Sequence, residues 1–215
     1  MATVYGGITM DTEEIKKLQA GLSSLPAEIP KVTSLAINYA TAKARTYASR
    51  AIRSRYNISQ KRLYDEEDKV LHMVKATPDN LSGGLVAYST HFALGYFNIL
   101  PSAPHPGPPR PVIKASVIKG SSKPVPGAFV AVMKSGHSGV FQRIAASALT
   151  PKIGKRGNTL APKQALSQLY TIGVAEMFEQ HDIINSVDKE AHDAFEYEFG
   201  RQADRALGHA LGKPA

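Results

Sequence analysis

Phe129-Val-Ala-Val-Met-Lys-Ser-Gly-His-Ser-Gly-Val-Phe-Gln-Arg143 is the stretch that decides the fold. Phe129, Ala131 and Met133 alternate with Val130, Val132 and Lys134, the two-residue period of a strand. Both sets are largely apolar, as expected of a strand covered on both faces. Ser135-Gly136-His137-Ser138-Gly139 predicts a five-residue turn whose two glycines can supply positive φ. Val140 to Ile144 then returns antiparallel, with Phe141 and Arg143 on one face. Such a hairpin commits its surroundings to an antiparallel sheet.

Upstream, Val70, His72 and Val74 alternate with Leu71, Met73 and Lys75, and Leu85, Ala87 and Ser89 alternate with Val86, Tyr88 and Thr90. Pro78-Asp79-Asn80 and Ser82-Gly83-Gly84 supply the turn between these strands. His91 to Phe97 is aromatic and apolar, fit for packing or for an interface edge. Pro101 to Pro111 carries six prolines and one glycine. It predicts an extended, ladder-free loop that protrudes between strands and reaches a neighbour in an assembly. Val112 to Ile118 is the next strand and Lys119 to Gly127 a turn, which makes a sheet of about four to five strands in all. Ser147 to Lys163 is a basic loop, and Gln164 to Thr171 a short edge strand.

Two long helices flank this region. Asp11-Thr12-Glu13-Glu14 opens a short helix with Asp11 as its cap, inside an N-terminal arm over residues 1–27. Ile29 to Tyr56 follows, with Pro30 tolerable in its first turn. Val32, Leu35, Ala36, Tyr39, Ala40, Ala44, Tyr47, Ala48, Ala51 and Ile52 mark its apolar face. Ser59 to Tyr64 adds a turn, and Asp65-Glu66-Glu67-Asp68 an exposed acidic bend. Asp182 to Leu211 is the closing helix, with Ile184, Val187, Ala191, Ala194, Phe195, Ala203, Leu207 and Ala210 as its stripe. Gly200 in its interior costs roughly 1 kcal/mol relative to Ala, which predicts a kink or a close contact there. The fold class is α+β: an antiparallel sheet packed against a long N-terminal helix and a C-terminal helix, with extended loops, in one domain over residues 1–215.

The net charge of +8 is unevenly placed. Ile29 to Tyr64 has eight Lys or Arg and no acid. Asn80 to Ala175 has ten and again no acid, while from Glu176 onward nine acids face four bases. Lys43, Arg45, Arg50, Arg53 and Arg55 on the long helix and Lys152, Lys155 and Arg156 in the basic loop are the candidate residues facing DNA or a neighbouring subunit. Zero cysteines exclude disulfides and Cys-based metal sites and suit a reducing cytoplasm. No membrane span is expected, because the uncharged residues 80–109 are broken by Gly and Pro.

Catalytic constellations are missing from the sequence. Val140 stands where Gly-x-Ser-x-Gly would need its last glycine, so Ser138 reads as a turn residue. Gly154-Lys155-Arg156-Gly157-Asn158-Thr159 lacks phosphate-loop spacing, and the seven histidines form no His-x-x-x-His pair. No cofactor, metal or enzymatic activity is expected.

In their order, Phe129, Val130-Ala131, Met133, Ser135-Gly136-His137, Gly139, Val140, Phe141 and Arg143 resemble the prophage minor tail protein Z family, the tail-completion proteins of long-tailed phages. A second block, Leu169-Tyr170-Thr171-Ile172-Gly173-Val174-Ala175-Glu176-Met177-Phe178, is similar to the same family at Leu169, Tyr170 and Met177. Thr171-Ile172-Gly173 stands where that family has Gly-Pro-Ser, and Ala175 where it has Pro. The resemblance implies a structural virion protein at the head-proximal end of the tail, made in the host cytoplasm and assembled as a homo-oligomeric ring, expected to be a hexamer. It implies tail tube or terminator proteins, head–tail connector proteins and viral DNA in the channel as partners. The residues themselves leave a second reading, a free nucleic-acid-binding protein using the basic middle.

Overall fold

The computed structural model describes residues 4–5, 28–64, 70–88, 91–144, 152–153, 159–160 and 166–210. The architecture is α+β, with antiparallel strands and two long helices. By its contacts the chain divides into two compact units. The first comprises Met1–Ser54, Gln60–Thr90 and Gly173–Ala215, and the second Arg55–Ser59 and His91–Ile172.

In the first unit, helix α1 (Ile29–Arg55) contributes all but its last residue, followed by the single turn α2 (Gln60–Leu63). Strands β1 (Val4–Tyr5), β2 (Leu71–Val74) and β3 (Gly84–Tyr88) pair antiparallel in the order β1-β3-β2. The short helix α3 (Val174–Phe178) and the long helix α4 (His181–Ala210) complete the unit. Val32, Ala36, Ile37 and Ala40 of α1 pack with Phe195 and Phe199 of α4 and with Ala76. The small residues on α1 make room for the two rings, whose centroids lie 5.7 Å apart. Buried Thr33 and Thr41 donate their hydroxyls to the carbonyls of Ile29 and Ile37, so neither is left unsatisfied. Asn38 binds both backbone groups of Ala76 and fixes α1 against the end of β2.

In the second unit, the opening hairpin is β8 (Ala128–Val132) with β9 (Ser138–Arg143). Strand β12 (Leu166–Gln168) pairs on the far side of β9. Strands β5 (Asn98–Leu100), β6 (Ile113–Ser116) and β7 (Lys123–Val125) form a second sheet, and β4 (His91–Ala93) pairs with β13 (Tyr170–Gly173). Strands β10 (Lys152–Ile153) and β11 (Thr159–Leu160) make a two-residue ladder. Leu94, Ile113, Ala115, Ala128, Val130 and Val140 are the core. Asn57 ties residues 55–59 to the end of β6 through the Ser116 carbonyl and hydroxyl, both at 2.9 Å.

Several sequence expectations need correction. Among the described residues the strands form five small sheets rather than one sheet of four to five strands, and the prolines of Pro101–Pro111 keep that segment out of any ladder. Lys119–Gly127 contains β7, in which Pro124 is tolerated because the strand is an edge. Strand β8 is not covered on both faces: Ala128 and Val130 are buried, Phe129 and Ala131 half-buried, and Val132 exposed. The hairpin loop is Lys134-Ser135-Gly136, closed by the Met133 N–H donating to His137 O at 2.8 Å. Only Gly136 has positive φ, at +83°, whereas Gly139 lies inside β9. Leu35 is exposed and Ile37 takes its place in the core. On α4 the expected Val187, Ala191 and Phe195 are buried, but Ile183 takes the place of Ile184 and Phe199 joins the row. Gly200 faces open space rather than a close neighbour. The basic loop over 147–163 includes β10 and β11. The Asp11 helix, the Asp65–Asp68 bend, Lys155 and Arg156 lie outside the described residues.

Candidate functional site

Charge segregates by unit more sharply than along the chain. All eighteen Asp and Glu belong to the first unit, with fifteen Lys and Arg, a net charge of −3. The second unit holds eleven Lys and Arg and not one acid. A module of that composition has no internal counter-charge, so its field points at solvent or at a partner.

The candidate basic residues of α1 do not form one surface. Lys43 and Arg50 lie two turns apart, and with Leu35, Tyr39, Thr46 and Arg53 they share one side of the helix. The Lys43 ammonium sits 5.2 Å from the Tyr39 ring centre, and Arg53 donates to Gln60 Oε1 at 3.2 Å. Arg45 projects elsewhere and stacks its guanidinium on the Tyr64 ring, 4.5 Å from its centre. Arg55, at the helix end, belongs to the second unit and lies over Tyr56. Lys152 is in β10.

The family-like residues divide into packing and surface. Phe141 is buried, and its ring meets the His137 imidazole edge-on at 6.3 Å. A Cβ at Gly139 would sit 3.2 Å from the Phe141 ring and 3.3 Å from Gln168 Nε2, so glycine there supplies space. Exposed His137 shares a hydrogen bond with Gln168 Oε1 at 3.1 Å. Met177 is fully buried in α3, Leu169 packs against the second core, and Tyr170 is exposed. Phe129 is flanked by two guanidiniums, Arg110 at 4.9 Å and Arg143 at 5.6 Å. Met133 is half-buried, while Ser135 and Gly136 are exposed in the loop.

Beside Phe129 runs a groove of about 270 Å³, walled by Pro101, Pro104 and Pro111 on one side and by Phe129 to Val132 on the other. Sequence reasoning found the Pro-rich loop but not this groove, because Arg110 gave no sign of folding over Phe129. Among the described residues no three His, Asp or Glu side chains gather as a metal set, and no helix is long and apolar enough to cross a membrane.

Among the described residues the acid held away from its ordinary titration range is Glu198 on α4. Hydrogen bonds from Arg201 hold its carboxyl below the usual carboxylate range against the opposing effect of burial, with help from Gln202 and from the charges of Arg201 and Arg205. This cluster is structural: it satisfies a buried charge within one helix.

Comparison of the chain with protein-family models, with curated proteins and with solved structures finds no match in any of the three. The likeness to the minor tail protein Z family rests on the two quoted blocks alone.

Proposed function

We propose that the chain is a structural subunit of a tailed-phage virion, a tail-completion protein that assembles with copies of itself into a ring at the head-proximal end of the tail. The observation that carries this reading is the separation of charge onto two units, −3 and +11, in one polypeptide. Identical protomers of that kind attract head to tail, and a heterologous contact that closes gives a ring. The acid-free unit then meets either a neighbour's acidic unit or the DNA in the channel. The two sequence blocks supply the virion context. In this reading the histidines and serines of the hairpin serve packing, and no step of chemistry is assigned to the chain.

The same eleven uncompensated bases favour a second reading, a free nucleic-acid-binding protein. Light scattering with and without duplex DNA separates the two. The ring subunit gives a discrete oligomer without DNA, or a monomer that binds only assembled tails. The free binder stays monomeric or dimeric and takes up DNA with an affinity that falls steeply as salt rises.

A further inference from the structure

We propose that the outer edge of β8 is a docking site for an extended segment of a second copy of this chain, drawn from that copy's acidic unit. This deepens the assembly proposed above and rests on it.

Among the described residues strand β8 ends its sheet: the order is β12-β9-β8, and β9 is its one strand partner there. The direction of its free backbone groups follows from the hairpin loop. Met133 and His137 form a hydrogen-bonded pair. In an antiparallel ladder such pairs alternate, so Ala131–Gly139 and Phe129–Phe141 also bond inward. The N–H and C=O groups of Ala128, Val130 and Val132 therefore point away from β9. Independent support comes from β9 itself, where the Val140 carbonyl bonds outward to the Leu169 N–H.

The groove beside Phe129 lies along this edge. It is lined by Phe129, Val130, Ala131 and Val132, four consecutive residues whose side chains alternate between faces. A cavity touched by all four follows the strand's rim. Pro101, Pro104 and Pro111 are among the other residues that line it, and none of the three has an N–H to close the ladder from within.

An edge that offers both donors and acceptors is satisfied by another polypeptide strand. Four residues give a contact of about 13 Å, so the pairing is short and concentration-dependent. Charge selects the occupant. Arg110 stands at the groove, in a unit with eleven bases and no acid. Pairing β8 with the β8 of another copy would bring two +11 units together. The acidic unit of another copy is the complementary surface this chain itself provides.

The test uses the full chain and the substitution Val132→Pro. Proline there removes an outward N–H and keeps the hairpin's bonds to β9, a change that edge strands tolerate. Sedimentation of the wild type should show self-association that weakens as salt rises from about 0.05 M to about 0.5 M. Val132→Pro and Arg110→Glu should each weaken association about tenfold or more, a loss of one or two backbone hydrogen bonds or of a matched charge. Amide exchange guards against misfolding: the Val130 and Val132 amides should be protected in concentrated wild type and open on dilution, while the Phe129 and Ala131 amides stay protected in both. Unchanged association of both variants overturns the edge assignment and leaves the ring reading standing. A wild type monomeric at every concentration also overturns it, and the ring reading is then decided separately in virions. Protection of Val130 and Val132 by an Asp/Glu-rich synthetic peptide but not by a second copy overturns it in favour of another protein.

Discussion

Asn38, in the third turn of α1, holds Ala76 by both of its backbone groups: its Nδ2 donates to the Ala76 carbonyl at 2.9 Å, and its Oδ1 accepts from the Ala76 N–H at 2.8 Å. The side chain thus continues the ladder past the end of β2, where no strand partner stands. Asn38→Ala should strand two nearly buried polar groups and cost about 2 kcal/mol. Chemical denaturation should register this as a lower midpoint with an unchanged slope. A loss under about 0.5 kcal/mol would mean that water replaces the amide without penalty.

Acid should destabilise the protein through Glu198. Its folded-state carboxyl titrates below the value near 4.3 of an unfolded chain. The stability it contributes is complete above that value and is lost as pH falls through the lower folded one. Wild type should therefore be more stable than Glu198→Gln at pH 7, with the gap closing below about pH 4. Thermal melts of both proteins across that range measure it, and a gap independent of pH contradicts it.

Two glycines of the first unit should respond to alanine with opposite signs. At Gly83 a Cβ would lie 2.7 Å from Ile37 Cγ2, 3.0 Å from Ala76 N and 3.1 Å from Val74 O. Two of those atoms are backbone and cannot give way, so Gly83→Ala should cost about 1–3 kcal/mol. Gly200 lies exposed inside α4 with nothing within 4 Å. Gly200→Ala should stabilise by about 0.5–1 kcal/mol. Paired denaturation curves decide both.

Charge reversal on α1 should separate surface from support. Lys43→Glu and Arg50→Glu change exposed residues, so each should leave stability within about 0.5 kcal/mol while weakening binding to DNA or to a neighbour. Arg45→Glu removes the stack on Tyr64 and should lower stability by about 1 kcal/mol or more. Equal stability in all three would mean that the Tyr64 contact contributes nothing.

Much of the fold was legible because long periodic segments carry strong signals. The three-to-four-residue apolar spacing located α1 and α4 to within about two residues, and two-residue alternation located the hairpin. Phase was harder: Leu35 and Ile37 both fit an apolar stripe, and only the Phe195 and Phe199 rings select Ile37. Strand β7 was missed because Pro124 reads as a breaker, and helix α3 because its five residues, Val174 to Phe178, are too few to show a period. Its Glu176 side chain, accepting from the Gly173 N–H at 2.8 Å, was the local sign of a helix start. The two units were not legible because the first is assembled from three separate stretches of chain. Nor was the groove, since it depends on a proline loop folding back over Phe129.

The most direct test of the assembly is to find the subunit in the particle. With a tag on the chain, electron microscopy of intact virions should reveal a ring of copies at the head-proximal end of the tail. Virions that lack the polypeptide, or carry it as scattered single copies, would contradict the account.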